Sequence, residues 1–151
     1  MFESHMVEQT KHEISLHSVQ CEPFKVILEA FYTDCLSCDG VSSMCQVAET
    51  MQMLQVKGDL HFKCVEYFRN VIDKDNCLEI LFFAKQYYIQ DIYDIARHFS
   101  LAYFIDVCHS PSFSSLSPEQ LISYLGDDNI CVDHEAEVKN MKCLGYYILL
   151  H

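Results

Sequence analysis

The residues best suited to chemistry in this chain are two pairs of potential metal ligands. Cys35 and Cys38 are separated by two residues, and His61 and Cys64 have the same separation. Four such side chains can hold zinc in a tetrahedral site. Cys64, however, shares an apolar helical stripe with Phe68, and small buried thiols are common in protein cores. We therefore expect no metal site here, and zinc is the remote alternative.

A catalytic cysteine is a second possibility. Such a nucleophile needs a histidine base and an orienting group that meet in space. Cys108 and His109 are neighbours in the sequence, which does not establish that geometry. Four glycines form no phosphate-binding loop, and eight histidines form no zinc-protease pair. We therefore predict a non-enzymatic protein without a cofactor.

Charge and cysteine content limit the classes of partner and compartment. The formal net charge of −12 repels phosphate backbones, so nucleic acid is not an expected partner. The longest apolar run, residues 80–84, is too short to cross a bilayer, and no secretory signal begins the chain. Nine cysteines in this context indicate free thiols in a reducing compartment. The expected location is the cytoplasm or the nucleus.

The elements that position these residues are mainly helices. Ile14 and Leu16 alternate with polar neighbours, which predicts a short strand over residues 14–19. A helix follows, and apolar residues spaced by three or four predict its buried side. These residues are Phe24, Ile27, Leu28 and Phe31.

Further helices follow in close succession. Periodicity over residues 41–54 predicts the second, and Asp59 is the expected N-cap of the third. Asn76, with a glutamate three residues later, resembles a capping box, and Asp91 is expected to begin another helix. Ser117, followed by a proline and then by a glutamine at the third position, is a strong start signal. Asp133 is expected to cap a last helix after two or three extended residues. The pattern predicts about six helices and one or two short strands.

Three pairs of aromatic residues are adjacent in the sequence, at 82–83, 87–88 and 103–104. A helix cannot bury both members of a pair on one narrow stripe. We expect most of these rings to lie in the core, with Tyr87 and Tyr88 the more exposed because each has a polar end.

In this order, the segments resemble a BTB/POZ domain followed by a BACK domain, as in kelch-like proteins. The BTB-like segments are residues 14–19, 24–33 and 51–56, and residues 1–3 and 6–8 look like the helix and loop before them. The BACK-like segment is residues 75–138, of which 113–121 and 132–138 are the most recognisable parts.

This resemblance implies a mainly α fold with a small β part. Residues 1–57 are expected to form the C-terminal half of an α+β BTB/POZ domain. Residues 58–138 are expected to form the 3-box and an all-α BACK domain of helical hairpins, and residues 139–151 a divergent tail. The opening elements of BTB, which form the family's homodimer interface, are not recognised, so self-association by that route is not expected. No kelch repeats are recognised either, which suggests a form truncated at both ends.

The resemblance also implies a partner, since kelch-like BTB proteins serve as substrate adaptors of cullin-3 RING ubiquitin ligases. In such adaptors an apolar residue, any residue and a glutamate help to hold the cullin, and here Met6 and Glu8 match that pattern. Tyr32 is expected on the same side, and the 3-box adds a second groove. The residues expected to contact cullin-3 are Met6, Glu8, Tyr32, Cys64 and Phe68. The alternative is a helical scaffold, or a non-functional isoform fragment, that binds no cullin.

Overall fold

In the computed structural model, residues 18–126 are described, and they contain eight helices. In chain order these are α1 (Cys21–Thr33), α2 (Val41–Met53), α3 (Asp59–Val71), α4 (Cys77–Gln86), α5 (Gln90–Ala102), α6 (Phe104–Cys108), α7 (Pro111–Ser114) and α8 (Pro118–Leu125). The mainly helical prediction is therefore confirmed, and the described part contains no strand. Except for residues 18 and 19, which form a turn, the predicted strand at 14–19 lies outside the described residues. The helix expected after Asp133 also lies outside them.

The helices pack as successive hairpins. α1 packs on α2, and α4 packs extensively on α5. α3 contacts both α2 and α5, and so joins the two hairpins, while α7 contacts α4 and α6. No helix within residues 18–126 combines the length and the apolar character needed to span a bilayer.

α4 is the most deeply buried helix of the array. Half of its ten residues are buried: Cys77, Leu78, Ile80, Leu81 and Ala84. These positions cover more than one face of a helix with 3.6 residues per turn, so α4 needs neighbours on several sides. Its buried residues join those of the other helices in one continuous core.

α1 buries a narrower face than the sequence suggested. Ile27 and Ala30 are buried, but the side chains of Leu28 and Phe31 are 41% and 60% exposed. The prediction that Leu28 and Phe31 face inward is therefore wrong for this structure. The physical reason is that α1 packs mainly on α2, and a single helical neighbour covers only one stripe.

The predicted start of α8 is confirmed in detail. The backbone N–H of Gln120 donates to the Ser117 hydroxyl at 3.2 Å. In return, the Ser117 N–H donates to the Gln120 side-chain oxygen at 2.9 Å. These reciprocal bonds form a capping box, which satisfies two N–H groups that would otherwise lack partners.

Three other helix starts differ from prediction. Gly58, rather than Asp59, is the N-cap of α3, and α5 begins at Gln90, one residue before Asp91. Asn76 does precede α4, but its side-chain oxygen accepts from the N–H of Asp73 at 2.9 Å instead of from a helical N–H. The Asn76 side chain therefore closes the α3–α4 turn, which is the role that asparagine often has in loops.

The C-terminal ends of α2 and α4 have the same geometry. Gln55 and Tyr88 have φ angles of 55° and 57°, in the left-handed region that non-glycine residues rarely adopt. The N–H groups of Val56 and Ile89, the next residues, each donate at 2.9 Å to a carbonyl five residues earlier. This is the Schellman arrangement, in which glycine is the preferred residue at the left-handed position.

The first prediction concerns Gln55. Gln55→Gly should raise the free energy of unfolding by up to about 1 kcal/mol, because glycine adopts a positive φ without the steric penalty. Gln46→Gly, at an exposed position inside α2, is the matched control and should lower it by a similar amount. Urea unfolding of the two variants measures both changes. Loss of stability in Gln55→Gly would contradict the assigned backbone conformation.

Candidate functional site

Three aromatic side chains are the most exposed large hydrophobic groups in the described part of the chain. Tyr32 is 90% exposed, Tyr88 is 86% exposed and Phe62 is 69% exposed. They belong to the last turn of α1, the α4–α5 turn and the first turn of α3. Exposed aromatic rings are favoured contact groups because they bury much area with few rotatable bonds.

Phe62 and Tyr88 line one groove of about 630 Å³, which we call the Phe62/Tyr88 groove. Its lining comes from the end of α2, the α2–α3 turn, the start of α3 and the α4–α5 turn. The left-handed residues Gln55 and Tyr88 are both part of this lining, as is Gly58, whose φ is 81°. The ends of α2 and α4 therefore determine the shape of the groove.

Two side-chain contacts join the elements around this groove. The Gln52 side-chain amide donates to the Tyr88 carbonyl at 3.1 Å and joins α2 to the α4–α5 turn. The His61 Nε2 atom lies 2.7 Å from the Asp91 carboxylate and joins α3 to α5. Both contacts span at least 30 residues of sequence, so they depend on the tertiary fold.

A third contact brings the end of α1 to the same part of α3. The Lys63 ammonium group donates to both the backbone carbonyl and the carboxylate of Asp34. Asp34 ends α1 with a φ of 59° and follows Tyr32 by two residues, while Lys63 follows Phe62 directly. The segments that carry Tyr32 and Phe62 are thus held side by side.

The candidate contact residues have different positions in the structure. Met6 and Glu8 lie outside the described residues. Tyr32 is fully available at the surface. Cys64 and Phe68 are only 2% and 0% exposed, so neither can touch a partner directly. Their assignment as contact residues is corrected here: both belong to the inner stripe of α3, which packs on α2 and α5.

The sequence reasoning missed Phe62. A phenylalanine outside the apolar stripe of an amphipathic helix is an exposed ring, and the stripe containing Cys64 and Phe68 excludes position 62. That signal was present in the sequence. The long-range contacts around Phe62 had no such signal, because they join residues from separate helices.

The possible zinc ligands do not form a common site. Cys35 is exposed, Cys64 is buried, and His61 interacts with Asp91. Within residues 18–126, no group of three or more His, Cys, Asp or Glu side chains is placed to hold a metal ion. Burial, followed by the nearby Cys38 and Cys45, raises the pKa of Cys64 to about 12.

Comparison with known proteins finds a matching protein family and several similar proteins. The BACK family, described as "BTB And C-terminal Kelch", matches residues 77–143, from the first residue of α4 onward. Kelch-like protein 21 of Danio rerio is 29% identical over 137 residues, which are 89% of this chain and 22% of the relative. Kelch repeat and BTB domain-containing protein 2 of Homo sapiens is 30% identical over 144 residues, which are 95% of this chain and 23% of the relative. Kelch repeat and BTB domain-containing protein 8 of Mus musculus is 27% identical over 140 residues, 91% of this chain and 23% of the relative.

The helical hairpins from α4 onward, together with the match at residues 77–143, define a BACK-type domain. The similarity to these relatives extends over about nine-tenths of the chain and so includes the helices before α4. The chain is thus similar to kelch-like proteins over most of its length, and its residues 77–143 match the BACK family. It spans less than a quarter of the length of the curated relatives it matches.

The second prediction compares a buried and an exposed phenylalanine of α3. Phe68→Ala should lower the free energy of unfolding by about 3–5 kcal/mol, because it removes a fully buried ring and leaves a cavity. Phe62→Ala removes the same side chain from the exposed face and should change stability by less than about 1 kcal/mol. Urea unfolding measures the stability of both variants. Equal losses of stability would contradict an orientation of α3 in which Phe68 is buried and Phe62 is exposed.

The third prediction concerns pH. Burial raises the pKa values of Cys45, Cys64 and Cys77 from 9.0 to about 12. Below pH 9 these thiols are protonated in both states and contribute no pH dependence. As the pH rises above 9, the unfolded chain releases these protons first, so the free energy of unfolding falls toward pH 12.

Urea unfolding in the presence of a reductant, on either side of pH 9, measures this fall. Cys64→Ala should reduce the slope of stability against pH, because it removes one thiol whose pKa is raised in the folded state. Cys35→Ala, at an exposed thiol, is the matched control and should leave the slope unchanged. An identical slope in wild type and Cys64→Ala would show that this thiol does not titrate differently in the two states.

Proposed function

We propose that this chain is the cullin-facing part of a cullin-3 ubiquitin ligase adaptor and works by non-covalent docking. The observation that carries this proposal is the placement of Tyr32, Phe62 and Tyr88. Each ring is exposed, yet each is attached to a helix end that long-range contacts hold in place. Such a surface suits recognition of another protein, in which a few rigid aromatic anchors supply most of the binding energy.

Similarity to kelch-like proteins supports the proposal. The names of the matched relatives refer to kelch repeats and, in several cases, to BTB domains, and residues 77–143 match the BACK family. In this proposal residues 1–57 are the C-terminal half of an α+β BTB/POZ domain. Residues 58–138 are the 3-box and BACK domain, and residues 139–151 are a divergent tail.

The proposed cullin-3 site has two parts. The first consists of Met6 and Glu8, with Tyr32 at the end of α1. The second is the Phe62/Tyr88 groove, which includes the start of the 3-box helix α3, and there exposed Phe62 replaces Cys64 and Phe68 as the contact residue. The contact of Lys63 with Asp34 supports a continuous surface, since it holds the α1 end of the first part against the α3 start of the second.

An adaptor of this kind acts by proximity. Docking on the cullin and holding a substrate convert ubiquitin transfer into an effectively intramolecular reaction. The adaptor itself makes or breaks no covalent bond. Its contribution is therefore determined by affinity and geometry alone.

The fourth prediction tests the site by equilibrium binding to the purified N-terminal region of cullin-3. Tyr32→Ala and Phe62→Ala should each weaken binding by about tenfold or more, because each removes an exposed aromatic anchor. The double variant Met6→Ala/Glu8→Ala should weaken it similarly. Tyr103→Ala is the matched control, since Tyr103 is 54% exposed at the end of α5 and lines no part of the groove.

The outcomes of this experiment are distinct. If wild type does not bind, the chain is a helical scaffold without a cullin role, and the proposal fails. If wild type binds and all site variants bind equally well, cullin-3 is the partner but the named residues are not its contact site. Weaker binding by Tyr103→Ala alone would place the contact at the other end of α5.

A further inference from the structure

Two serines in the region from α7 to α8 are each followed directly by a proline. These pairs are Ser110–Pro111, at the start of α7, and Ser117–Pro118, at the start of α8. A residue before proline is restricted to extended backbone. Both serines have that conformation, with φ and ψ of −77° and 154° at Ser110 and of −66° and 156° at Ser117. Each hydroxyl also caps its helix, so the two sites are alike in local sequence, backbone conformation and capping role.

The two serines differ in their access to solvent. Ser117 is exposed, as is Pro118 after it, and Leu116 before it is half-buried. Ser110, by contrast, is only 4% exposed. An enzyme that modifies a hydroxyl group must surround it, so the folded chain presents Ser117 and withholds Ser110.

The hydrogen bonds of the two hydroxyl groups differ in the same sense. The Ser110 hydroxyl donates to the Val107 carbonyl at 2.7 Å, so its proton is already engaged. The Ser117 hydroxyl accepts from the Gln120 N–H at 3.2 Å, and it donates to no acceptor within residues 18–126. A reaction that begins with removal of the hydroxyl proton is therefore opposed at Ser110 and unopposed at Ser117.

We propose that Ser117 is a phosphorylation site for a proline-directed serine kinase and that buried Ser110 is not. Such a kinase binds an extended serine followed by proline, which has no N–H that would need a partner. The γ-phosphoryl group of Mg²⁺-bound ATP is transferred to the Ser117 Oγ atom. The new Oγ–P bond forms as the bond from the γ-phosphorus to the bridging oxygen breaks. ADP leaves with that electron pair, and the hydroxyl proton passes to the catalytic aspartate of the kinase.

The folded chain can carry the product. A phosphoserine adds a charge of about −1.5 to −2 at pH 7. At Ser117 this charge lies at the N-terminus of α8, where the helix dipole and the Gln120 N–H favour an anion. Glu119 is a like charge nearby, but it is exposed, so solvent and salt screen the repulsion. The helix end thus tolerates the phosphate, whereas access to the hydroxyl selects the site.

The phosphate adds charge to a defined part of the surface. Ser115, Leu116 and Glu119, on the two sides of Ser117, line a groove of about 790 Å³ between α4 and the α7–α8 segment. Phosphorylation of Ser117 therefore makes the rim of this groove more negative without a change in the buried core. This inference does not depend on the identity of the cullin partner.

The fifth prediction uses the purified 151-residue chain with Mg²⁺-ATP and, in separate reactions, a mitogen-activated protein kinase and a cyclin-dependent kinase. The reference substrate is a synthetic peptide of residues 106–123, in which no fold buries either serine. The ratio of the Ser117 rate to the Ser110 rate should be at least about tenfold higher in the protein than in the peptide, because Ser110 is reached only after local opening. Phosphopeptide mass spectrometry measures both rates.

Four variants test the named residues. Ser117→Asn keeps a capping side chain but has no hydroxyl, so it should lose the phosphate at 117 while the helical circular dichroism signal is retained. Ser117→Thr restores a hydroxyl and should be phosphorylated. Pro118→Ala keeps the acceptor and should slow the reaction about tenfold, because it removes the group that the kinase selects. Ser115→Ala, at an exposed serine without a following proline, is the matched control and should leave the Ser117 rate unchanged.

Three results would each overturn the proposal. The first is the absence of phosphate on Ser117 of the folded chain with both kinases, which would leave Ser117 as a helix cap only. The second is a Ser117-to-Ser110 rate ratio in the protein that equals the ratio in the peptide. The third is a Ser117 rate that is unchanged in Pro118→Ala.

Discussion

Burial of α4 is the constraint on which the described helical array depends. Five of its ten residues are buried, on more than one face, so no single neighbour can cover it. α5 covers one side by extensive hairpin packing, and α7 contacts another. Phe82 and Phe83 of α4 are only partly covered. The order of the helices after α3 can thus be understood as successive coverage of one apolar helix.

α3 shows how one helix separates stability from recognition. Phe68 and Cys64 point inward and hold the two hairpins together, whereas Phe62 is on the outer side. The contacts His61–Asp91 and Lys63–Asp34 flank Phe62 and fix the surroundings of the exposed ring. A substitution of Phe62 should therefore affect recognition, and a substitution of Phe68 should affect stability.

Much of the helical pattern could be predicted from the sequence, because periodicity and capping are local signals. The capping box at Ser117 and the buried stripe containing Cys64 and Phe68 are examples. The inward orientation of Leu28 and Phe31 was mispredicted, since periodicity alone cannot tell how many neighbours cover a helix. Asn76 was misassigned because the same side chain can cap a helix or close a turn. The pairing of Lys63 with Asp34 has no local signal at all, and neither does the convergence of the helix ends on one groove.

Tyr88 combines an exposed ring with a backbone that is fixed on both sides. Its φ of 57° is set by the Schellman turn, and its carbonyl accepts the Gln52 amide. A loop residue normally loses conformational entropy when it is captured by a ligand, at a cost of about 1–2 kcal/mol for the backbone. Here that ordering is already complete in the unbound chain, so contact with Tyr88 restricts little more than the rotation of its ring.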